Sequence, residues 1–265
     1  MYGVTARQER ESDGVAYGGS GDPRRSIELL WGVPPRRKRG PKPRLSVADI
    51  RQAGVALADA EGLAALSMRR VAAELGVSAM ALYTYVPSKA ELIDLMLDGV
   101  YAELPTGDVP GEGWRDRLAT LARENRALLE WHPWLLSIAM SRPVMGPGVI
   151  AKYDRELRAI DGIGLDDIEM DSVLTLLIGY VQSAVREGLA AAGAERSTGM
   201  SDEQWWAAYQ PAFDAVLDPA GYPVAVRVGS AAGAAQGGAY HPGRAFEFGL
   251  ARVLDGVAAL IQRRR

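Results

Sequence analysis

Between residues 46 and 104, four serines stand where helices are expected to begin, and this pattern restricts the fold more than any other feature. Serine is favoured just before a helix because its side-chain oxygen accepts a hydrogen bond from an otherwise unpaired backbone N–H. Apolar residues at helical spacing follow each serine, and glycine or proline separates one helix from the next. We predict helices over residues 46–60, 67–75 and 78–86, and a fourth from residue 88 onward. The four serines are Ser46, Ser67, Ser78 and Ser88.

The second and third of these helices are joined at Gly76, where the chain needs a left-handed conformation to end a helix. Two short helices joined in this way, with an apolar residue just after the glycine, form a helix-turn-helix. We expect a small apolar core between them, formed by Val71, Leu75, Val77 and Leu82. From the spacing alone, a plain three-helix bundle with an amphipathic third helix is the alternative.

The outer face of the third helix carries small and apolar side chains, namely Ala79, Met80, Tyr83 and Thr84. Small residues at the start of a recognition helix let its backbone enter the major groove of DNA. Met80 and Tyr83 can contact the methyl groups of thymine, and Arg69 is placed to bind guanine with two hydrogen bonds. The pattern therefore favours a protein that binds double-stranded DNA.

A basic segment lies directly upstream of the first helix, with no acidic residue between positions 29 and 48. Such a segment can lie along phosphates or in the minor groove, and it strengthens the prediction of DNA binding. A solubilising linker is the alternative. The residues before it, 1–30, have little periodicity, although Ser26–Trp31 is a short apolar run that can dock on the folded protein. We therefore predict that residues 1–44 form a mostly disordered extension that ends in a basic arm. The basic residues of the arm are Arg36, Arg37, Lys38, Arg39, Lys42 and Arg44.

The rest of the chain also has helical spacing, and no convincing run of alternating strand residues occurs. We therefore predict an all-α protein of about ten helices. A break over residues 105–113 divides it into a DNA-binding domain, residues 45–104, and a larger helical domain, residues 105–265. Further helices are predicted over residues 114–131, 134–141, 147–160, 166–193, 201–217 and 242–263, with a long loop over residues 219–242.

The composition excludes several kinds of site. Without cysteine the chain has no disulfide, thiolate metal site or cysteine nucleophile. His132 and His241 are too few for a histidine-rich metal cluster, and His132, beside a proline, is expected to be structural. We therefore predict no metal, no cofactor and no enzyme activity. No apolar run approaches the roughly 20 residues of a membrane span, so we expect a cytoplasmic protein without a membrane partner.

Aromatic residues and methionines of the larger domain suggest a cavity for a drug-sized apolar molecule. An ordinary apolar core is the alternative for each of these residues. Two polar residues within predicted helices can orient such a ligand or face solvent. The candidate ligand-binding residues are Trp114, Asn125, Trp131, Trp134, Ile138, Met145, Leu177, Gln182, Trp205 and Trp206.

Residues 45–92 resemble the N-terminal domain of the TetR family of bacterial repressors. The resemblance is carried by the run Leu75-Gly76-Val77 and by the sequence LYTYVPSK over residues 82–89. It implies that bases are met by Arg69, Met80 and Tyr83, and that phosphates are met by Tyr85 and Lys89. In the tetracycline repressor polar side chains begin the recognition helix, whereas this chain has alanines, so readout is expected to use Arg69 and DNA shape. The implied DNA contacts are Ser67, Arg69, Ala79, Met80, Tyr83, Tyr85 and Lys89.

The larger domain resembles the C-terminal domain of the tetracycline repressor in Ser141-Arg142-Pro143 and in AFEFGL over residues 245–250. This resemblance implies a homodimer. In such a dimer the long helix at about residues 168–190 and the last helix at about residues 243–262 of each chain form a four-helix bundle with the same two helices of the partner. The position of the metal-binding histidine in the tetracycline repressor falls on Ile138, which implies a more apolar effector and no metal. The candidate interface residues are Leu176, Gly179, Tyr180, Phe246, Phe248, Gly249 and Val253.

Together these features predict a transcriptional repressor that releases a palindromic operator when a small, largely apolar effector binds. A family member that activates transcription, or one that needs no ligand, is the first alternative. An all-α enzyme with a DNA-binding appendage is the second, and the absence of a defensible catalytic set counts against it.

Overall fold

The computed structural model describes residues 16–33, 45–140, 142–236 and 241–263. Within these residues the chain folds almost entirely into helices, which confirms the predicted all-α class. Single turns of 3-10 helix cover Leu63–Ala65 and Pro133–Ser137, and two short strands, β1 (Ala16–Tyr17) and β2 (Ile138–Ala139), pair in parallel. The helices are α1 (Pro23–Leu30), α2 (Val47–Glu61), α3 (Met68–Glu74), α4 (Ala79–Tyr83), α5 (Lys89–Tyr101), α6 (Trp114–Trp131), α7 (Pro147–Arg158), α8 (Asp167–Thr198), α9 (Asp202–Asp214), α10 (Pro223–Gln236) and α11 (Pro242–Gln262).

The chain forms two compact units, and their boundary differs from the predicted one. The first unit contains residues 1–108 and 131–158, and the second contains residues 109–130 and 159–265. Residues 131–158 join the first unit because α7 begins against α5. The Asp98 carboxylate on α5 accepts a hydrogen bond from the Val149 N–H at 2.9 Å, and a side chain at Gly148 would meet the Asp98 backbone oxygen.

The centre of the first unit is α5, in which every residue from Glu91 to Val100 is buried. Its apolar residues pack against α2, where Ile50 and Leu57 are buried. At Gly54 the two helices approach so closely that an added Cβ would lie 2.8 Å from the Met96 sulfur. The packing of α2 on α5 therefore forms the support that holds the helix-turn-helix.

The N-terminal segment differs most from its prediction. Residues 16–33 form β1, a turn and α1, and they pack on α5 instead of being disordered. Asp22 caps α1 by accepting hydrogen bonds from the N–H groups of Arg24 and Arg25, and Leu30 is buried. The sequence signal was weak because the segment is stabilised by distant contacts with α5. The predicted disorder of residues 1–15 and the basic arm both lie outside the described residues.

In the second unit, α8 packs along α11. Two exposed ion pairs join α6 to α11: Arg115 Nη2 lies 2.6 Å from an Asp255 oxygen, and Arg123 Nη2 lies 2.7 Å from a Glu247 oxygen. Among the described residues, α8 is long and apolar enough to cross a membrane by length and composition alone, contrary to the sequence expectation. It buries six of its residues and packs along α11, however, as a core helix does.

Two further expectations were wrong in this region. Residues 223–236 form α10 within the predicted loop, because alanine and valine outnumber the glycines there and Pro223 suits a first helical position. Residues 134–141 are not an α-helix, since the turn Pro133–Ser137 passes directly into β2. Helix α9 has no buried residue, and no residue of α10 with a described side chain is buried.

Candidate DNA-binding surface and effector domain

The helix-turn-helix is formed by α3 and α4, and a serine caps the start of each helix. Ser67 Oγ accepts from the Arg70 N–H at 3.3 Å, and Ser78 Oγ accepts from the Ala81 N–H at 3.2 Å. Each cap satisfies one of the backbone donors that a helix start leaves unpaired. The predicted caps are therefore correct, although α4 is shorter than the predicted helix over residues 78–86.

The turn between the two helices depends on Gly76, whose φ is +65°. The Val77 N–H reaches back to the Ala72 carbonyl at 3.0 Å, and the Gly76 N–H bonds the Ala73 carbonyl at 3.1 Å. This pair of bonds is a Schellman motif, which ends α3 and redirects the chain into α4. Leu82 is fully buried behind the turn. Leu75 and Val77 are half-buried, not buried as predicted, because the turn itself stays near the surface.

The outer face of α4 presents the predicted side chains to solvent. Met80 is 76% exposed and Tyr83 is 45% exposed, which is unusual for apolar side chains of this size. Ala79 is half-buried, and Thr84 uses its hydroxyl to bond the Met80 carbonyl at 3.3 Å. The start of α4 is therefore a narrow, apolar surface without side-chain charge.

Two adjacent arginines at the start of α3 have different environments. The Arg70 guanidinium donates two hydrogen bonds to the Glu61 carboxylate, at 2.6 and 2.5 Å, and these bonds hold the pKa of Glu61 below its ordinary value. Arg69 is exposed and has no ion-pair partner among the residues that the structure describes. The Arg70 pair fixes α3 against the end of α2, so Arg69 is the arginine left available to a partner.

The start of α5 lies next in the chain after α4 and carries the predicted phosphate contacts. Ser88 Oγ accepts from the Ala90 N–H at 3.1 Å, and the Ser88 hydroxyl also bonds the Glu91 carboxylate. Lys89 is exposed and Tyr85 is half-buried. Exposed cations and backbone N–H groups at a helix start are suited to bind phosphate oxygens.

Comparison with known proteins identifies the family. Residues 50–96 match the model for bacterial regulatory proteins of the tetR family. Residues 106–261 match the model for the tetracyclin repressor-like C-terminal domain. The chain belongs to the tetR family.

Individual relatives agree with this assignment. The chain is 45% identical over 250 residues to the HTH-type transcriptional repressor DrrR1 of Streptomyces coeruleorubidus, covering 93% of this chain and 90% of that protein. The crystal structure of apo ActR from Streptomyces coelicolor superimposes with a TM-score of 0.68 at 26% identity, covering 85% of this chain and all of that one. ActR in complex with actinorhodin gives the same TM-score and identity, covering 82% of this chain and 96% of that one.

This family membership confirms the central prediction from the sequence, a transcriptional repressor with a helix-turn-helix domain. Regulators of this family act by binding DNA, and the models and relatives describe regulation and no enzyme activity. Among the described residues, no group of three or more histidine, aspartate or glutamate side chains is placed to hold a metal ion.

The candidate ligand-binding residues are divided between the two units. The first unit contains Trp131, Trp134, Ile138 and Met145, and the second contains the other six. In the first unit Trp134 and Ile138 are buried, but each already has a structural partner. Trp134 Nε1 donates to Asp59 at 2.7 Å, and Ile138 pairs with Ala16. Trp131 is 76% exposed.

A groove of about 490 Å³ lies in the first unit, and one of the predicted ligand-binding residues lines it. It runs between α2 and α5 beside the turn at His132, and Trp131 is the one candidate ligand-binding residue in its wall. The full lining is Arg51, Gln52, Val55, Ala56, Asp59, Gly99, Ala102, Glu103, Trp131 and His132.

The second unit offers better support for an effector site. Along α9 the rings of Trp205 and Tyr209 stack with centroids 4.6 Å apart, and Tyr209 stacks on Phe213 at 5.8 Å. Trp206 meets Tyr209 edge-on, and its Nε1–H is buried without a hydrogen-bond partner among the described residues. Unpaired buried donors are rare in folded proteins. Trp205 and Trp206 were candidates from the sequence, whereas Tyr209, four residues after Trp205 on the same helix face, was not.

Two other members of the predicted effector set serve the core of the second unit. Leu177 is fully buried on α8, and Asn125 donates its side-chain N–H to the Leu121 carbonyl at 2.9 Å. Trp114 and Gln182 are half-buried.

The candidate dimer residues divide into an inner and an outer set. Phe246 is buried within the protomer, stacked on Tyr180 with ring centroids 5.9 Å apart, so the prediction was wrong for Phe246. Gly249 makes room for the Tyr180 hydroxyl of the same chain, which bonds the Phe246 carbonyl at 2.7 Å. Leu176 and Phe248 are more than half exposed, Gly179 is exposed and Val253 is half-buried.

Proposed function

We propose that the protein represses transcription as a homodimer that binds a palindromic operator through α4 and releases it when a small, largely apolar effector binds the second unit. The observation that carries the DNA-binding half of this proposal is the exposed apolar start of α4, with the uncommitted Arg69 on the helix before it. Monomeric proteins normally cover side chains such as Met80, and exposed ones mark interaction surfaces.

The operator is proposed to be read by a few contacts in the major groove. Arg69 contacts guanine through its two guanidinium donors, while Met80 and Tyr83 contact thymine methyl groups. Ala79 and Ala81 bring the backbone close to the bases but offer no hydrogen bonds. Since so few polar groups reach the bases, sequence-dependent DNA shape contributes part of the specificity.

The phosphate contacts are proposed to come from the start of α5 and from the basic arm. Tyr85 and Lys89 hold the backbone of the half-site, as the family resemblance implies. The six basic residues over 36–44 add electrostatic attraction that does not depend on sequence. These contacts position the recognition helix, whereas the base contacts select the site.

The effector is proposed to bind in the second unit against the aromatic side chains of α9. Stacked rings favour a flat, largely apolar molecule. The buried Trp206 N–H calls for an acceptor oxygen on that molecule, because an unpaired donor costs about 1–3 kcal/mol. ActR, a structural relative at 26% identity, has been solved in complex with actinorhodin, which supports a small-molecule effector here as well.

Dimerisation is proposed to use the outer faces of α8 and α11. Leu176 and Phe248 expose apolar surface there, and Gly179 leaves open space around its Cα. Burial of these side chains by a second copy stabilises the dimer through the hydrophobic effect. Two-fold symmetry then places two α4 helices at half-sites of a palindrome.

Release requires that the effector bind one conformation of the dimer more tightly than the other, because only differential affinity shifts an equilibrium. The operator-bound conformation is proposed to be the one with the weaker effector site. Effector and operator then weaken each other's binding by the same factor.

The direct test is a titration of the full-length protein into labelled DNA from upstream of its own gene, at 50 and 200 mM salt. We expect saturable binding that unlabelled promoter DNA competes and unrelated DNA does not, with affinity falling steeply with salt. Equal competition by unrelated DNA contradicts the proposal. If deletion of the gene lowers the expression of a reporter driven by this promoter, the protein activates transcription instead of repressing it.

A further inference from the structure

The N-terminal residues 16–33, which we call the strap, are bonded to two buried carboxylates of α5. Asp94 accepts from the Gly19 N–H at 2.9 Å and from the Ser26 hydroxyl at 3.1 Å, one bond to each carboxylate oxygen. Glu91 accepts from the Asp22 N–H at 3.0 Å. Both acids are at least 95% buried, so the strap supplies hydrogen bonds that water cannot easily supply in its place.

The strap is also bonded to the chain around β2, residues 138–140 and 142–145, which we call the β2 segment. The Gly18 N–H donates to the Ala139 carbonyl at 3.1 Å, next to the β1–β2 pair. At the other end of the strap, the Trp31 indole N–H donates to the Met145 carbonyl at 2.9 Å. The β2 segment is therefore held to α5 through the strap.

Glu91 connects the strap to the proposed DNA-binding surface. One of its carboxylate oxygens takes the bond from Asp22, and the other takes the Ser88 hydroxyl. Ser88 is the N-cap of α5, and Lys89, its neighbour, is a proposed phosphate contact. A continuous series of hydrogen bonds thus runs from the β2 segment through the strap to the start of α5.

The close fit of the strap depends on glycine. A Cβ added at Gly21 would lie 2.7 Å from a Glu91 oxygen, and one at Gly18 would lie 3.2 Å from the Met140 sulfur. Ser20, between them, is exposed. A larger side chain at position 21 therefore separates the strap from Glu91, while the same side chain at position 20 meets only solvent.

We propose that the strap is a positioning element that couples the β2 segment to the Ser88–Lys89 start of α5, so that a shift of either changes operator affinity through Glu91 and Asp94. The operator part of this inference rests on the proposed function. Loss of the strap removes both donors of Asp94 and one of the two donors of Glu91, which disfavours partly detached states. Such an element has discrete bound and released states, as coupling between sites requires.

The test compares Gly21→Val with Ser20→Val in the full-length protein, by amide hydrogen exchange and by operator titration. We expect Gly21→Val to speed exchange in the strap, in the β2 segment and over residues 88–92, and to weaken operator binding roughly fivefold. Ser20→Val is expected to leave both measurements unchanged. Faster exchange confined to residues 16–33, or an unchanged operator affinity for Gly21→Val, overturns the proposal.

Two further comparisons exclude a simple folding defect. Asp94→Ala removes both acceptors and should reproduce Gly21→Val, whereas Asp94→Asn keeps an acceptor for Gly19 and a donor for Ser26 and should give wild-type affinity and exchange no faster than that of the wild type. Trp31→Phe removes only the bond to Met145 and should speed exchange in the β2 segment. Equal effects of Asp94→Ala and Asp94→Asn on operator affinity contradict the positioning role.

Failure of the proposed function gives a different result. If the wild-type protein does not bind its promoter, the DNA-binding proposal fails, yet the exchange of residues 88–92 and of the β2 segment still reports whether the strap links them. If the wild-type protein binds and the variants behave alike, the strap proposal alone fails.

Discussion

The imidazole Nδ1 of His132 lies 2.7 Å from Oδ1 of Asp59, which joins the turn after α6 to the C-terminal end of α2. The same carboxylate oxygen accepts the Trp134 indole N–H at 2.7 Å, and His132 Nε2 lies 3.3 Å from a Glu103 oxygen. His132 is almost completely buried. The His132 ring thus bonds Asp59 on α2 and Glu103 just after α5, which supports the predicted structural role of this histidine.

We expect His132→Ala to lower the free energy of unfolding by about 2–3 kcal/mol, because it leaves a cavity and removes hydrogen bonds to charged partners. His241→Ala is the matched control. His241 is exposed and only caps α11, accepting from the Arg244 N–H at 3.3 Å, so its loss should cost less than about 1 kcal/mol. Chemical denaturation measures the free energy of unfolding of both variants, and equal losses in the two contradict the prediction.

Arg69→Ala should weaken operator binding by about 1–3 kcal/mol, the range for one bidentate contact to guanine. Arg158→Ala removes an exposed arginine of the same unit that pairs with Asp154 and should leave affinity unchanged. Fluorescence anisotropy with promoter DNA measures both. If Arg69→Ala leaves the operator affinity unchanged, the recognition surface lies elsewhere.

Gly76→Ala should destabilise the protein by roughly 1–2 kcal/mol, because its φ of +65° is unfavourable for a residue with a Cβ. Beyond the adjoining residues no atom lies within 4 Å of the added methyl, so the effect isolates backbone strain. Gly229→Ala, in the interior of α10 and equally open, should be neutral or stabilising. Thermal unfolding distinguishes the two, and equal melting temperatures argue against strain at residue 76.

Burial raises the pKa of Asp94 above its ordinary value of 3.8. Its ionised form is therefore disfavoured in the folded protein, so its contribution to stability is greatest below pH 3.8 and is lost as the pH rises through the raised pKa. Asp94→Asn should match the wild type at low pH and become the more stable protein as the pH rises. Unfolding measured across pH 3 to 8 tests this, and a difference independent of pH contradicts it.

Phe248→Glu and Leu176→Glu should each shift the protein from dimer to monomer in sedimentation equilibrium, because each places a charge in a proposed apolar interface. Ile150→Glu, on α7 of the first unit, also places a charge at an exposed apolar position and should leave the dimer intact. A dimer that survives both substitutions rules out the outer faces of α8 and α11 as its interface.

Local signals in the sequence were sufficient to predict the helix-turn-helix. Ser67, Ser78 and Gly76 act through backbone groups only a few residues away, so their roles can be read from the sequence alone. The spacing of Met80 and Tyr83 around the buried Leu82 likewise follows from helical periodicity. The effector residues were harder to predict, because an apolar side chain within a helix serves a core as readily as a cavity.

The sequence by itself determined the all-α class, the helix-turn-helix and the exposed face of α4, because these depend on short-range capping and periodicity. Only the tertiary structure showed that residues 16–33 are folded, that residues 131–158 belong to the first unit, and that Phe246 faces inward. Each of these depends on contacts between residues distant in the chain. The bond from Gly19 to Asp94 spans 75 residues and has no signature in either local sequence.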